Sequence, residues 1–311
     1  MNKNRLHITN GDSTTEILKK LGFKGEIITW REMLCEGRTT TDVGSEGFWK
    51  SRFNFFSSTY KVTKRSFIDK TVKEFRNLCN QKTQDEIVLW FEYDLFCQIN
   101  MLAMISWLKT HRKGAHITLV CSGKEDNTKK LYGLGELSKD QIINLFEKRI
   151  SLTIDDIEYA DYMWHLYCSD SPLQMQTHAR FNASQFRYLT EALETHLKRF
   201  PSIKNGLNDL ENTILTTAVS KKHKTKEDLV KTLLKNPNYY GFGDIQYFKK
   251  LDDLKVLFKN FSPVYLTDLG LDIQEGAHNI YSQVKDPNVY LGGSLKYSFL
   301  YNDTNNKLLK L

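Results

Sequence analysis

The sequence lacks most of the signals that would place it outside an aqueous compartment or commit it to a known cofactor. None of its 311 residues belongs to a run of about 18 apolar positions, which excludes a spanning helix. Its amino terminus, M-N-K-N-R, is polar and leads straight into a strand, so no signal peptide is expected. The five cysteines (Cys35, Cys79, Cys97, Cys121 and Cys168) are scattered, odd in number and free of any C-x-x-C pair. That usage suits reduced thiols in a cytoplasm better than a disulfide framework or a zinc site. Also missing are H-E-x-x-H, G-x-x-x-x-G-K-[ST] and a G-x-G-x-x-G between strand and helix, so a nucleotide cofactor has no specific support. Gly133-Leu134-Gly135 and Gly241-Phe242-Gly243 read as turns. Internal repeats, low-complexity tracts and a flexible linker are absent too.

What is present is a chain with ample material for a core, 40% hydrophobic and 12% aromatic. The leading feature is L-H-I-T-N-G-D-S at Leu6–Ser13, a strand that breaks at Gly11 before an amphipathic stretch from Thr14 to Leu21. Gly22 supplies a helix stop. Gly25–Trp30 forms a second strand, followed by a polar loop from Cys35 to Gly47. An aromatic-rich segment, Phe48 to Tyr60, is expected to cover the sheet or the pocket. A helix over Lys64–Asn80 leads to E-I-V-L-W-F-E at Glu86–Glu92. This is the most continuous apolar strand, as expected in the middle of a parallel sheet. Leu95–His111 is an apolar helix and Ala115–Cys121 another strand. The alternation predicts βαβ crossovers and a Rossmann-like layer over residues 1–150.

Residues 151–311 change character. Ser138-x-x-Gln141 is a capping box just before this region. Helices are expected near Ile154–Tyr167, Ala183–Phe200, Asn208–Ser220, Thr225–Lys235 and Asp244–Asn260. Ile245, Phe248, Leu251, Leu254 and Phe258 would form the buried face of the last. Beyond Pro263 come β-like pieces, with Tyr297–Tyr301 and Lys307–Leu311 patterned as a hairpin. The fold class is thus α/β: a mostly parallel sheet, then a helical region and a small carboxyl-terminal module with helix-turn-helix and β elements.

Candidate site residues collect at the expected carboxyl ends of the strands, where open α/β sheets hold ligands. They are Asn10, Gly11, Asp12 and Ser13 after the first strand, Trp30, Arg31 and Glu32 after the second, and Glu92 and Asp94 after the third. Gln98 follows one turn into the next helix, and Cys121 to Lys124 form a weaker fourth patch. Asp12, Glu92 and Asp94 are suited to acid–base or metal-binding work and Ser13 to a nucleophilic or oxyanion role. Arg31 would clamp an anion, Asn10 and Gln98 would orient a substrate, and Trp30 could be a platform. Each has a plainer role: Asp12 or Ser13 as a helix cap, Trp30 and Trp90 as packing, Arg31 and Glu32 as an exposed ion pair. Gly11-Asp12-Ser13 matches the nucleophile block of the G-D-S esterases, but the late D-x-x-H of those enzymes is missing. Asp161 and His165 stand four apart on a helix, a spacing more often met as a surface contact than as a metal site.

The segments H-I-T-N-G-D-S (His7–Ser13), I-T-W-R-E-M-L-C-E-G (Ile28–Gly37), L-W-F-E-Y-D-L-F-C-Q (Leu89–Gln98) and W-H-L-Y-C-S-D-S-P (Trp164–Pro172) occur in order. With L-N-D-L-E-N-T-I-L (Leu207–Leu215), Gly243-Asp244 and Leu291–Gly293, they resemble the family catalogued as domain of unknown function 1835 with its partner domain 3658. Arg38 and Tyr93 depart from that pattern, which often has proline and histidine there. The resemblance implies a bacterial, soluble, two-domain protein and supplies no reaction.

Two functional readings follow, with a structural interaction module as a third. One is an intracellular enzyme or ligand-binding protein, a hydrolase or group transferase on a small polar or phosphorylated substrate. The other is a nucleic-acid-binding or regulatory protein. From Arg180 to Asn260 there are 15 Lys and Arg against 9 Asp and Glu, most of the net charge of +7. Lys221, Lys222, Lys224 and Lys226, in the turn between two helices, would carry that role. The pattern specifies no cofactor, metal, membrane partner or oligomeric state.

Overall fold

The computed structural model describes residues 4–124, 130–220, 222–236 and 238–311. It divides into two compact units, Met1–Ala192 with Gly292–Ser294, and Leu193–Leu291 with Leu295–Leu311. A boundary near residue 150 therefore falls inside the first unit.

The first unit is built on a five-stranded sheet. In chain order its strands are β1 (Arg5–Asn10), β2 (Glu26–Trp30), β3 (Glu86–Glu92), β4 (Ile117–Ser122) and β5 (Ile150–Ser151), and they lie side by side as β2-β1-β3-β4-β5. The first four are parallel, with Ile8 opposite Ile28 and Leu89, and Leu89 opposite Leu119; β5 runs antiparallel to β4. Strand order reverses between β1 and β3, so the crevice of a doubly wound sheet opens at their carboxyl ends. As its apolar run requires, β3 is buried from Glu86 to Phe91, and only Glu92 is half-exposed.

Helix α1 (Asp12–Leu21) and helix α6 (Lys139–Glu147) cover one face, where Leu18, Val88, Trp90, Val120, Leu134 and Ile142 form a continuous core. Trp90 is anchored there by its indole N–H, which donates to His7 Nδ1 at 3.0 Å, while His7 Nε2 lies 3.2 Å from the Lys24 carbonyl. That network requires a neutral imidazole with its proton on Nε2, and burial accordingly lowers the His7 pKa. The other face holds α5 (Leu95–His111), buried from Leu95 to Leu108 except at Phe96. A helix apolar all round must be covered outside as well as inside, and α7 (Ile154–Tyr167) covers it. Lys109 on α5 reaches Glu158 and Asp161 on α7, each at 2.6 Å.

The aromatic-rich segment is α2 (Glu46–Tyr60), opened by Ser45, whose hydroxyl accepts the Phe48 N–H. The helix expected over Lys64–Asn80 is present as α3 (Lys64–Phe67) and α4 (Lys73–Asn80) around a π turn at Ile68–Val72. Glu74 of α4 uses its carboxylate to accept the Thr29 N–H of β2 at 2.8 Å.

The helix expected over Ala183–Phe200 is shorter. It is preceded by α8 (Leu173–Ala179), which the sequence reading missed, and forms only as α9 (Leu189–Leu197). Asn182 and Ser184 explain the loss. The Asn182 side chain bonds the Ser184 N–H and the Phe186 carbonyl, and Gln185 N–H goes to Asp156, so the backbone is satisfied without a helix.

In the second unit, α10 (Asp209–Ser220) begins at the expected cap: Asn208 and Glu211 each accept the other's backbone N–H at 2.9 Å. Thr225 caps α11 (Lys226–Lys235). The next helix, α12 (Asp244–Asp253), stops short of Asn260. Phe258–Phe261 is instead a strand, β6, paired with β7 (Val264–Leu266). Phe258 stands opposite Leu266 and Phe261 opposite Val264, with a register shift between Phe258 and Asn260, and aromatic residues paired across strands favour the sheet over helix. The buried face of α12 also differs: Tyr247 and Leu251 fill the core, and Ile245 is 58% exposed. Residues Phe299–Asn302 (β8) and Lys307–Lys310 (β9) make the expected antiparallel hairpin.

Candidate functional site

Gly11 breaks β1 with φ 89°, a conformation that suits glycine, and its N–H donates to the Trp30 carbonyl at 3.0 Å. It is the N-cap of α1 and offers no side chain, so neither Asp12 nor Ser13 caps the helix. Asp12 instead makes a forked pair with Arg31: Nη2 and Nε reach Oδ1 at 2.8 and 3.0 Å, and Arg31 Nη1 donates to the Lys70 carbonyl. The hydrogen bond from Arg31 holds the Asp12 carboxyl below its usual range. Arg31 is thereby committed to a carboxylate of its own chain. Ser13 is exposed in the first turn of α1, with Gly135 close enough that a Cβ there would lie 3.9 Å from its hydroxyl.

Glu32 and Trp30 lie in the interior. Glu32 Oε2 accepts from Arg52 Nε at 2.8 Å, both side chains wholly buried, and the same guanidinium bonds the carbonyls of Met33, Glu36 and Arg38. One arginine thus staples the loop after β2. Burial pushes the Glu32 carboxyl up, and the Arg52 contact opposes it. Trp30 is 3% exposed and packs near Trp49 and Phe75.

The residues that come together are Asn10, Glu92, Asp94, Cys97 and Gln98. Asp94 is the N-cap of α5, its Oδ1 accepting the Cys97 N–H at 2.8 Å. Asn10 donates to Cys97 Sγ at 2.9 Å and accepts from Asn100 Nδ2 at 2.7 Å. Gln98 is 1% exposed; its Nε2 donates to the Glu92 carbonyl at 2.7 Å and lies 3.7 Å from Cys121 Sγ, while Oε1 is buried without a partner. Glu92 Oε1 accepts the Leu134 N–H at 2.7 Å. The glycines of Gly133-Leu134-Gly135, which read only as a turn, thus fold over the strand ends; a Cβ on Gly133 would sit 3.0 Å from the Glu92 carboxylate.

Among the described residues no cation pairs with Glu92 or Asp94. Burial, with Asp94 adding repulsion, pushes Glu92 up to about 7, and burial pushes Asp94 up to about 6. Glu86, at the other end of the same strand, is the contrast. It is fully buried, but Arg5, Arg149 and Thr118 clasp its carboxylate and hold it down to about 2. Burial and both carboxyl groups drive the Cys97 thiol well up, and burial sends Cys121 to about 12, so neither is a ready thiolate. Glu92, Asp94 and Cys97 offer three ligand atoms within 4.8 Å of one another, and to hold a cation the set would have to give up the Cys97 proton and whatever proton Glu92 keeps. Two carboxyl groups that titrate near neutrality can take and return protons, the requirement for general acid–base work.

Of the basic cluster, Lys226 pairs with Asp252 and lies over the rings of Phe248 and Phe261. Lys222 and Lys224 are exposed, and Lys221 lies outside the described residues. No family model and no curated protein matches the chain.

Proposed function

We propose that this protein is an enzyme that uses Glu92 and Asp94 for proton transfer on a small polar substrate, in hydrolysis or group transfer. One observation carries the reading. Two carboxyl groups, Asp94 buried and Glu92 partly buried, lie at the carboxyl end of the central strand, at the point where strand order reverses, with no cationic partner among the described residues. Burying a carboxyl without such a partner costs stability, and the Glu86 arrangement illustrates how the same strand avoids that cost where only structure is at stake. Asn10 and Gln98 are positioned to orient the substrate, and Leu134 N–H orients Glu92.

A panel of small polar esters, amides and phosphate esters, incubated with the wild-type protein across pH 5 to 9, tests it. Expected is turnover with a pH profile that Glu92→Gln flattens on its acid–base limb and Asp94→Asn depresses at least tenfold, both variants still folded. Turnover unaffected by either substitution overturns the assignment.

A further inference from the structure

A cavity of about 200 Å³ opens beside the carboxyl pair, between β4, the end of α6 and the segment before α9. Gln98 and Cys121 belong to its wall, so it borders the site built on Glu92. Its charge is one-sided. Lys124, Lys148, Arg149 and Arg187 line it, and among the described residues no acidic side chain does. Arg149 is spent on Glu86. Lys148 and Lys124 have no side-chain partner among the described residues, and Arg187 only lies over the Tyr188 ring at 5.4 Å. Among the described residues, nothing negative lines the space that these cations share.

Two further features make the cavity a built one. Tyr188 is held as part of its wall: its hydroxyl accepts the Lys124 N–H at 2.7 Å, and its ring packs so closely on Gly123 that a Cβ there would come within 2.3 Å. Gln98 adds an acceptor. Because Nε2 must face the Glu92 carbonyl, Oε1 cannot exchange places with it, and Oε1 is the buried atom left unpartnered. An occupant of this cavity therefore needs a strongly anionic group for the cations and a hydrogen-bond donor for Gln98. The volume is below the range of about 300–1,000 Å³ typical of drug-sized ligands, which favours a compact molecule.

We infer that the cavity binds a small hydroxylated phosphate monoester, with Lys148 and Arg187 on the phosphate and Gln98 accepting from a hydroxyl. This rests on the proposed function in one respect only, that the ligand is the substrate of the carboxyl pair. Phosphate is the fitting anion because its three terminal oxygens can engage several separate cations at once.

Titration calorimetry at fixed ionic strength, with inorganic phosphate, glycerol 3-phosphate, glycerol, sulfate and chloride as probes, tests it. Expected is saturable binding of both phosphates, tighter for glycerol 3-phosphate, and none of glycerol. Lys148→Gln and Arg187→Gln, both at exposed positions, should each weaken phosphate at least fivefold, and Gln98→Met should erase the advantage of glycerol 3-phosphate over phosphate. Phosphate binding that is absent, or that both cation variants leave unchanged, overturns the inference; so does equal affinity for sulfate, phosphate and chloride. Glu92→Gln separates the two ideas, since it should flatten the pH profile of turnover and leave phosphate affinity within twofold. Retained binding without turnover in the wild type would sink the enzyme and keep the cavity.

Discussion

Glu92→Gln should make the first unit more stable, and only above acid pH. Glu92 has an ordinary pKa of 4.5, raised in the folded protein to about 7. As pH climbs, the unfolded chain gives up this proton first, while the folded protein keeps it until near neutrality. Each pH unit between the two values lowers the unfolding free energy by about 1.4 kcal/mol, so the full penalty is about 3 kcal/mol above pH 7 and vanishes below pH 4.5. Glutamine is neutral at every pH, nearly the same shape, and still presents an oxygen to the Leu134 N–H. The variant should match the wild type at pH 4 and exceed it by about 3 kcal/mol at pH 8. Urea unfolding followed by tryptophan fluorescence reads this directly, because Trp30, Trp49, Trp90, Trp107 and Trp164 all lie in the first unit. A stability difference that stays constant from pH 4 to pH 8 would refute the argument that burial holds a proton on Glu92.

Arg52→Ala should cost about 3–5 kcal/mol, since it strands Glu32 in the interior and frees three loop carbonyls, whereas replacing both partners by apolar residues should recover most of the loss in the same urea assay. Asp12→Ala breaks a pair whose carboxylate is 68% exposed and should cost less than about 1 kcal/mol, shrinking further in high salt. His7 acts in the opposite pH direction to Glu92: burial lowers its pKa, so the unfolded chain takes up a proton near 6.5 before the folded protein does and stability falls as pH drops below that point. An imidazole NMR titration with an ordinary midpoint for His7 would contradict this. Gly293→Ala places a Cβ 1.8 Å from the Cys168 carbonyl oxygen, and thermal unfolding should register a loss of at least about 2 kcal/mol.

Much of the first unit was legible because its strands are written in long apolar runs. Glu86–Glu92 and Leu95–His111 have the same limits in sequence and structure, since an apolar strand ending in Glu-Tyr-Asp before an apolar helix admits few alternatives. Glu92 and Asp94 stood out for that reason. Pairings between elements were hidden. Nothing local shows that Arg31 turns to Asp12, 19 residues back, or that Glu32 meets Arg52 in a helix that read only as an aromatic cluster. The same blindness concealed the Leu134 amide, 42 residues from the carboxylate it contacts, and the convergence of Lys148 and Arg187 on one cavity. Helix ends failed where side chains compete for backbone groups, as Asn182 and Ser184 do.

The parallel sheet ends on one side at β2, whose Thr29 N–H is already taken by Glu74, and on the other at β5, a strand of two residues. An open border of unpaired amides is what lets a foreign strand zip onto a sheet; here one border is interrupted at Thr29 and the other is only two residues long. Edge-to-edge growth of this five-stranded sheet between copies is therefore disfavoured.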